Sequence, residues 1–262
     1  MIELRRLTKR YGATEVVRSL SLSVARGELL VLLGGSGSGK TTTLKMINRL
    51  IEPTTGQVLI DGEPADAVEG HVLRRKIGYV FQKVGLFPHM SVAENVATPL
   101  VLAGWAKPRI DARVAEMLAM VDLDDAIGGR SPSELSGGQA QRVGFARALA
   151  AEPKVMLLDE PFGALDPVTR DRLQQSFLGI RRRLGLTAVF VTHDMVEALV
   201  IADRIAVLKR GELVQIGTPR ELLDSPADDY VALLFETPRR QADLVADLMA
   251  GAAAAEPNGS PA

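Results

Sequence analysis

The sequence predicts an α/β fold with a doubly wound, mostly parallel sheet, an N-terminal antiparallel β subdomain and a helical subdomain on the rim. Three observations carry this. Leu29–Leu33, Ile77–Phe81, Val155–Leu158 and Ala188–Thr192 are apolar runs, as strands buried on both faces should be. Helix-patterned segments alternate with them, the arrangement that builds parallel βα units. Each run also leads directly into polar residues, and in open α/β sheets ligands bind beyond the strand C-termini.

Taken in order, Ile2-Glu3-Leu4 and Leu20-Ser21-Leu22-Ser23-Val24 alternate in polarity, which marks strands with one wet face in a small antiparallel sheet. Leu29–Leu33 follows as a buried strand, Thr41–Leu50 reads as a helix, and Gln57–Ile60 as a strand ending in the Asp61-Gly62 turn. Residues 88–152 read as the helical subdomain, with helices over Ala93–Leu102, Ile110–Val121 and Gln139–Ala151, the last stopped by Pro153. The strand Val155–Leu158, a helix over Pro167–Leu184, the strand Ala188–Thr192 and a helix over Met195–Ala202 come next. Ile205–Leu208 and Leu213–Ile216 flank Arg210-Gly211, a hairpin signal. The reading closes the main domain at residue 235, places a C-terminal helix over 236–250 (amphipathic from Pro238 to Met249), and leaves 251–262 as a disordered low-complexity tail.

Bulk properties narrow the function. The chain has 262 residues, 47% hydrophobic and 24% charged, with a formal net charge of −1 and no cysteine. A near-neutral chain carries no global field toward nucleic acid or anionic lipid, so no nucleic-acid partner is expected. Without cysteine there are no disulfides or thiolate metal sites, which fits a reducing compartment. MIELRRLTKRY lacks the apolar core of a signal peptide, and no uncharged apolar stretch reaches spanning length. A soluble, cytosolic chain is expected.

The segment Gly34-Gly35-Ser36-Gly37-Ser38-Gly39-Lys40-Thr41 fits G-x-x-x-x-G-K-[ST] and is followed by Thr42. Between a buried strand and a helix, its glycines let backbone N–H groups curl around phosphates, and the helix N-terminus adds positive potential. Lys40 supplies charge to the β- and γ-phosphates of ATP, and Thr41 offers a hydroxyl to Mg²⁺. Asp159 and Glu160 leave the strand at Val155–Leu158. Asp159 suits Mg²⁺ held through water, and Glu160 suits a general base that polarises the attacking water. Gln82 can touch the γ-phosphate, its metal or the water with a neutral amide. His193 can hydrogen-bond the γ-phosphate and orient water. His71 and His89 fall in loops and have no assigned role. Ser136-Gly137-Gly138-Gln139 opens a helix as a second phosphate-binding surface, or equally as a routine helix cap. One chain with one P-loop has no use for a second cradle, but two copies docked head to tail would give each ATP both surfaces.

These motifs resemble the nucleotide-binding subunit of an ATP-binding-cassette (ABC) transporter over about residues 1–235. They run in the family's order: GGSGSGKTT, Gln82, LSGGQ at Leu135–Gln139, VMLLDEP, Ala164-Leu165-Asp166 and His193. The resemblance implies that Tyr11 stacks on adenine and that Asp166 links the two active sites of a dimer. Gly35 stands where proline is frequent and Ala140 where a second glutamine often follows, and neither position supplies a reacting group. Met46–Thr54 and Gln82–Met90 are similar to the importers of quaternary-amine osmoprotectants such as glycine betaine and choline. The sequence after residue 235 is too short for the paired CBS modules that many of those proteins carry. The implied partners are a second copy, an integral membrane permease touching the Gln82–Met90 loop and the helical insert, and indirectly a solute-binding protein. The implied location is peripheral, on the cytoplasmic face of the inner or plasma membrane. Another cargo, a non-transport ABC ATPase, and a nucleotide switch without turnover remain the competing readings.

Overall fold

A computed structural model describes residues 1–163 and 165–254, with the side chains of 242 and 245–254 excepted. Ala164 and most of the predicted tail, 255–262, lie outside the described residues.

Two sheets organise the chain. The strands β1 (Ile2–Tyr11) and β2 (Thr14–Val24) pair antiparallel, and β4 (Thr55–Ile60) pairs with the other edge of β1. The short strand β5 (Glu63–Pro64) extends β4 through Asp61-Gly62. Both turn residues have positive φ, the requirement of a type I′ turn. The larger sheet has the order β10-β9-β3-β8-β7-β6. Its members are β3 (Leu29–Leu33), β6 (Ile77–Val80), β7 (Val155–Asp159), β8 (Thr187–Thr192), β9 (Arg204–Lys209) and β10 (Glu212–Gly217). All neighbours run parallel except the β9–β10 hairpin, which turns through Arg210 and Gly211, again both at positive φ.

Every residue of β3, β7 and β8 is buried. The alternation of side chains along a strand explains why. Leu29, Val31 and Leu33 face one core with Phe145, Met156, Leu158, Phe162, Phe177, Ala188 and Phe190. Leu30 and Leu32 face the other, with Val155, Leu157, Val189, Val191 and the apolar side of β1, β2 and β4. A polar residue at any of these positions would lie in one core or the other, so the strands read as unbroken apolar runs. The first core is centred on Phe145, Phe162, Phe177 and Phe190, whose rings approach at 5.6 to 6.5 Å between centroids, within the range of favourable tilted and offset pairs.

The helices are α1 (Lys40–Ile47), α2 (Gly70–Arg74), α3 (Val92–Leu102), α4 (Lys107–Met120), α5 (Gly137–Ala150), α6 (Pro167–Leu184), α7 (Met195–Ile201), α8 (Pro219–Asp224) and α9 (Asp229–Ala254). Between β6 and β7 the chain forms α3, α4 and α5, which pack on one another. Several helix ends carry legible caps. Ser91 closes a capping box with Glu94 at α3, Asp166 and Asp194 cap α6 and α7 through their carboxylates, and left-handed Gly185 ends α6.

Some expectations shift. α4 begins three residues before Ile110 because Pro108 sits in its first turn, where its missing N–H costs nothing. α5 begins at Gly137 rather than Gln139 because Ser136 caps it. His71 lies in the short helix α2 rather than in a loop. The last helix starts at Asp229 and runs through Pro238. Its first two turns bury Val231 and Phe235 in the main core, so residues 229–235 belong to the helix as much as to the preceding domain.

Phe190 is fully buried and touches both Phe162 and Phe177. Phe190→Ala is expected to lower unfolding stability by about 3–5 kcal/mol, read as a lower urea midpoint at unchanged slope; a loss below about 1 kcal/mol would contradict this packing.

Candidate functional site

Sheet order places the sequence-predicted residues in a row. β3, β8, β7 and β6 are consecutive neighbours and parallel, so the loop at Gly34–Gly39, His193, Asp159–Glu160 and Gln82 leave the same edge side by side. The structure brings these positions together around one cleft of about 710 Å³. Gly35–Thr42, Gln82, Glu160, His193 and Val16 line it.

The loop depends on glycine at particular points. Gly39 caps α1 at φ 96°, and a Cβ there would stand 2.8 Å from the Val16 carbonyl oxygen. At Gly34 a Cβ would run into the Leu208 carbonyl of β9. Lys40, the first residue of α1, is buried and donates from Nζ to the carbonyls of Gly34 at 2.7 Å and Gly35 at 3.0 Å. Burial lowers the Lys40 ammonium below its ordinary value, opposed by the nearby Glu160 and Asp159 carboxylates. Ser38 Oγ is buried in the same loop without a hydrogen-bond partner among the described residues. A buried hydroxyl donor, a lysine ammonium and a helix N-terminus suit a polyanionic phosphate chain.

Asp159 ends β7 and is buried. Its Oδ1 accepts a 2.8 Å hydrogen bond from Thr41 Oγ1. Burial raises its carboxyl above the ordinary range, and the Thr41 hydroxyl, Lys45 and Lys40 pull it back. Two hard oxygens side by side fit Mg²⁺, which takes one or two protein oxygens and completes its shell with phosphate and water. Among the described residues no cluster of three His, Cys, Asp or Glu side chains could hold a metal alone. Gln82 lines the same cleft and donates from Nε2 to Glu160 Oε2 at 3.0 Å.

Glu160 sits at φ 45°, a left-handed conformation that is uncommon for a residue other than glycine. Its backbone N–H is tied to the Val191 carbonyl of β8 at 3.0 Å. Its Oε2 faces both Gln82 and His193, the latter through Nδ1 at 3.2 Å. His193 is largely exposed and Glu160 largely covered.

Other predicted residues lie apart. Ser136, Gly137, Gly138 and Gln139 line a second cleft, of about 840 Å³, together with Arg130, Arg142, Asp166 and Thr169. Ser136 and Gln139 form a reciprocal capping box, Gln139 N–H to Ser136 Oγ at 3.2 Å and Ser136 N–H to Gln139 Oε1 at 3.0 Å, so the cap reading holds for their side chains. Asp166 Oδ1 accepts from the Thr169 N–H at 3.0 Å, and this helix-capping bond holds its carboxyl below the usual range. Tyr11 is exposed at the end of β1, with the Lys9 ammonium 5.1 Å from its ring centroid. Val16, past the β1–β2 turn, lines the P-loop cleft in its stead.

Sequence reasoning missed the groups that fix the site's loops. Arg147 on α5 donates to the Val84 and Gly85 carbonyls at 2.8 and 2.9 Å, anchoring the segment after Gln82. Glu197 on α7, whose carboxyl burial pushes up, takes a 2.8 Å bond from Gln174. Neither lies in a motif. The available signal was an arginine or glutamate on an otherwise apolar helix face.

The profile of the family described as ABC transporter matches residues 17–163. The chain belongs to the ABC transporter family. It is 52% identical over 232 residues to a glycine betaine/carnitine/choline transport ATP-binding protein of Bacillus subtilis, covering 88% of this chain and 61% of that one. It is 50% identical over 235 residues to a glycine betaine uptake system ATP-binding protein of Escherichia coli, covering 90% and 76%. The chain thus spans about three-fifths of the first relative's length. Among solved structures, a dimeric bacterial ABC transporter cassette is similar at TM-score 0.77 and 37% identity, over 84% of this chain and 99% of that one.

Gly39→Ala is expected to cost about 1–3 kcal/mol, because it forces alanine into left-handed backbone against the Val16 carbonyl. Chemical unfolding of the variant measures this, and unchanged stability would contradict the tight loop geometry.

Proposed function

We propose that this chain binds and hydrolyses ATP and thereby energises an importer for quaternary-amine osmoprotectants of the glycine betaine and choline type. The observation that carries the reading is the row of Lys40, His193, Glu160 and Gln82 along one sheet edge, with the Thr41–Asp159 oxygen pair beside it.

In this reading the loop at Gly34–Gly39 wraps the phosphates. Lys40 exchanges its two carbonyl partners for phosphate oxygens, and Thr42 and Thr41 close the cradle at the start of α1. Thr41, Asp159 and Gln82 would hold Mg²⁺, and the ion would supply neutralisation of phosphate charge. Glu160 accepts the proton of the attacking water, while His193 and Gln82 hold its carboxylate and the water in line. Glu160 Oε1 takes no side-chain hydrogen bond among the described residues, so it is free to accept. Tyr11 would meet adenine only if the β1–β2 turn closes over the cleft.

The signature surface of Ser136–Gln139 lies in a different cleft from the P-loop, which supports a head-to-tail dimer in which each ATP touches Lys40 of one copy and Ser136 of the other. Asp166 lines that second cleft and would connect the two sites. An apolar groove of about 640 Å³ beside the Gln82 loop, lined by Phe81, Phe87, Pro99 and Leu102, suits a cytoplasmic helix of a membrane permease. Among the described residues no helix is long and apolar enough to cross a membrane. We therefore place the chain peripherally at the cytoplasmic face, with a solute-binding protein engaged only through the permease. The quaternary-amine cargo rests on the printed functions of the Bacillus and Escherichia relatives.

Lys40→Ala is expected to weaken ATP binding roughly ten- to a hundredfold, the loss of a charged hydrogen bond of about 1.5–3 kcal/mol; titration with a fluorescent ATP analogue reads it, and wild-type affinity would count against the cradle. Glu160→Gln is expected to cut turnover by about 10² to 10⁴ with ATP affinity kept. Uptake of labelled glycine betaine at high salt should return to cells lacking the chain with wild type and not with Glu160→Gln. Full uptake in the deleted cells would overturn the cargo.

A further inference from the structure

We propose that Arg170 and Gln174, one turn apart on α6, clamp the first turn of α7 and make Arg170 a positioning residue for His193, coupling it to the Leu165–Asp166 loop. The proposal rests on the reading of His193 as part of the hydrolytic site.

Asp194, immediately after His193, divides its carboxylate between two jobs. Oδ1 accepts from the Glu197 N–H at 3.1 Å and caps α7. Oδ2 accepts from Arg170 Nη1 at 3.1 Å. The Asp194 N–H in turn donates to Thr192 Oγ1 at 3.0 Å, so both chain neighbours of His193 are fixed while its own ring is exposed. The second rung lies one turn along α6, where Gln174 Nε2 donates to Glu197 Oε1 at 2.8 Å between two buried side chains. A buried polar pair of this kind holds its geometry because losing one partner strands the other.

The other end of the clamp reaches the loop that opens into the second cleft. Arg170 Nη2 makes a long 3.4 Å bond to the Leu165 carbonyl, and Arg170 Nε is buried with no acceptor among the described residues. The guanidinium is thus held more closely by Asp194 than by Leu165. Movement of the Leu165–Asp166 loop changes what Arg170 can donate to, and the rigid fork of a guanidinium passes that change to Asp194. Arg170, Asp194 and Glu197 line a cavity of about 280 Å³ together with Glu160 and His193, which gives the His193 ring room to change position. Asp166 lines the signature cleft, so contact there by a second copy would reach His193 of the same chain through Arg170.

The test compares wild type, Arg170→Met and Arg170→Lys in the full chain, by turnover and by NMR of carbon-labelled histidine rings. The chain has three histidines, and His71 and His89 serve as internal controls. The expected result is a ten- to hundredfold fall in kcat, about the cost of a catalytic group displaced by an ångström or less, with KM for ATP within about twofold. The His193 resonances should move or broaden while those of His71 and His89 stay in place. Arg170→Lys keeps the charge without the fork and carries the same expectation if Arg170→Met does not fold. Unmoved His193 resonances, or unchanged kcat in a folded variant, overturn the clamp. Glu160→Gln run alongside separates the two readings: normal turnover there defeats the hydrolytic assignment itself, whereas lost turnover there with a normal Arg170 variant defeats the clamp alone.

Discussion

The whole arrangement depends on burying both faces of one parallel sheet. Because β3, β8 and β7 are buried along their whole length and β6 pairs with β7 at the edge, their backbones are held in register. Their C-terminal ends then fall along one line. Along that line the polar residues that follow these strands meet one cleft. Lys40, His193, Glu160 and Gln82 come from segments far apart in the chain, and the sheet brings them to one cleft without any of them packing in the core.

The cleft concentrates opposed charge under partial burial. Lys40 and Asp159 are both disfavoured as ions by burial and favoured by each other. A phosphate–metal pair is the ligand that would satisfy both at once. Glu160 adds backbone strain, since its left-handed φ persists only because neighbours over-determine it. Val191, Gln82 and His193 are those neighbours.

Much of this was legible in the sequence, and the reason is physical. Two-sided burial erases polar residues from a strand, so Leu29–Leu33 and Val155–Leu158 announce themselves, and Pro167 with Gly185 brackets α6 to the residue. The P-loop was legible because its glycines answer to backbone geometry at Gly34 and Gly39. What stayed hidden depends on tertiary partners. The Thr218-x-x-Glu221 box that starts α8 is a readable signal that was overlooked, but the start of α9 is set by burial of Val231 and Phe235 rather than by a local stop or start. The roles of Arg147, Arg170 and Glu197 exist only once helices are packed, and no spacing rule points to them. Tyr11, whose adenine contact came from the family pattern, is exposed and does not line the P-loop cleft.

The P-loop cleft and the signature cleft are separate, and in the proposed reading two copies are needed for each ATP to meet both surfaces. The similarity to a cassette solved as a dimer is in keeping with that division. The most direct test is sedimentation of the Glu160→Gln chain with saturating ATP and Mg²⁺, alone and combined with Ser136→Arg. The account predicts a species of twice the chain's mass for Glu160→Gln with ATP, a single-chain mass without ATP, and a single-chain mass when Ser136→Arg is added. A Glu160→Gln chain that binds ATP yet stays at single-chain mass would contradict it.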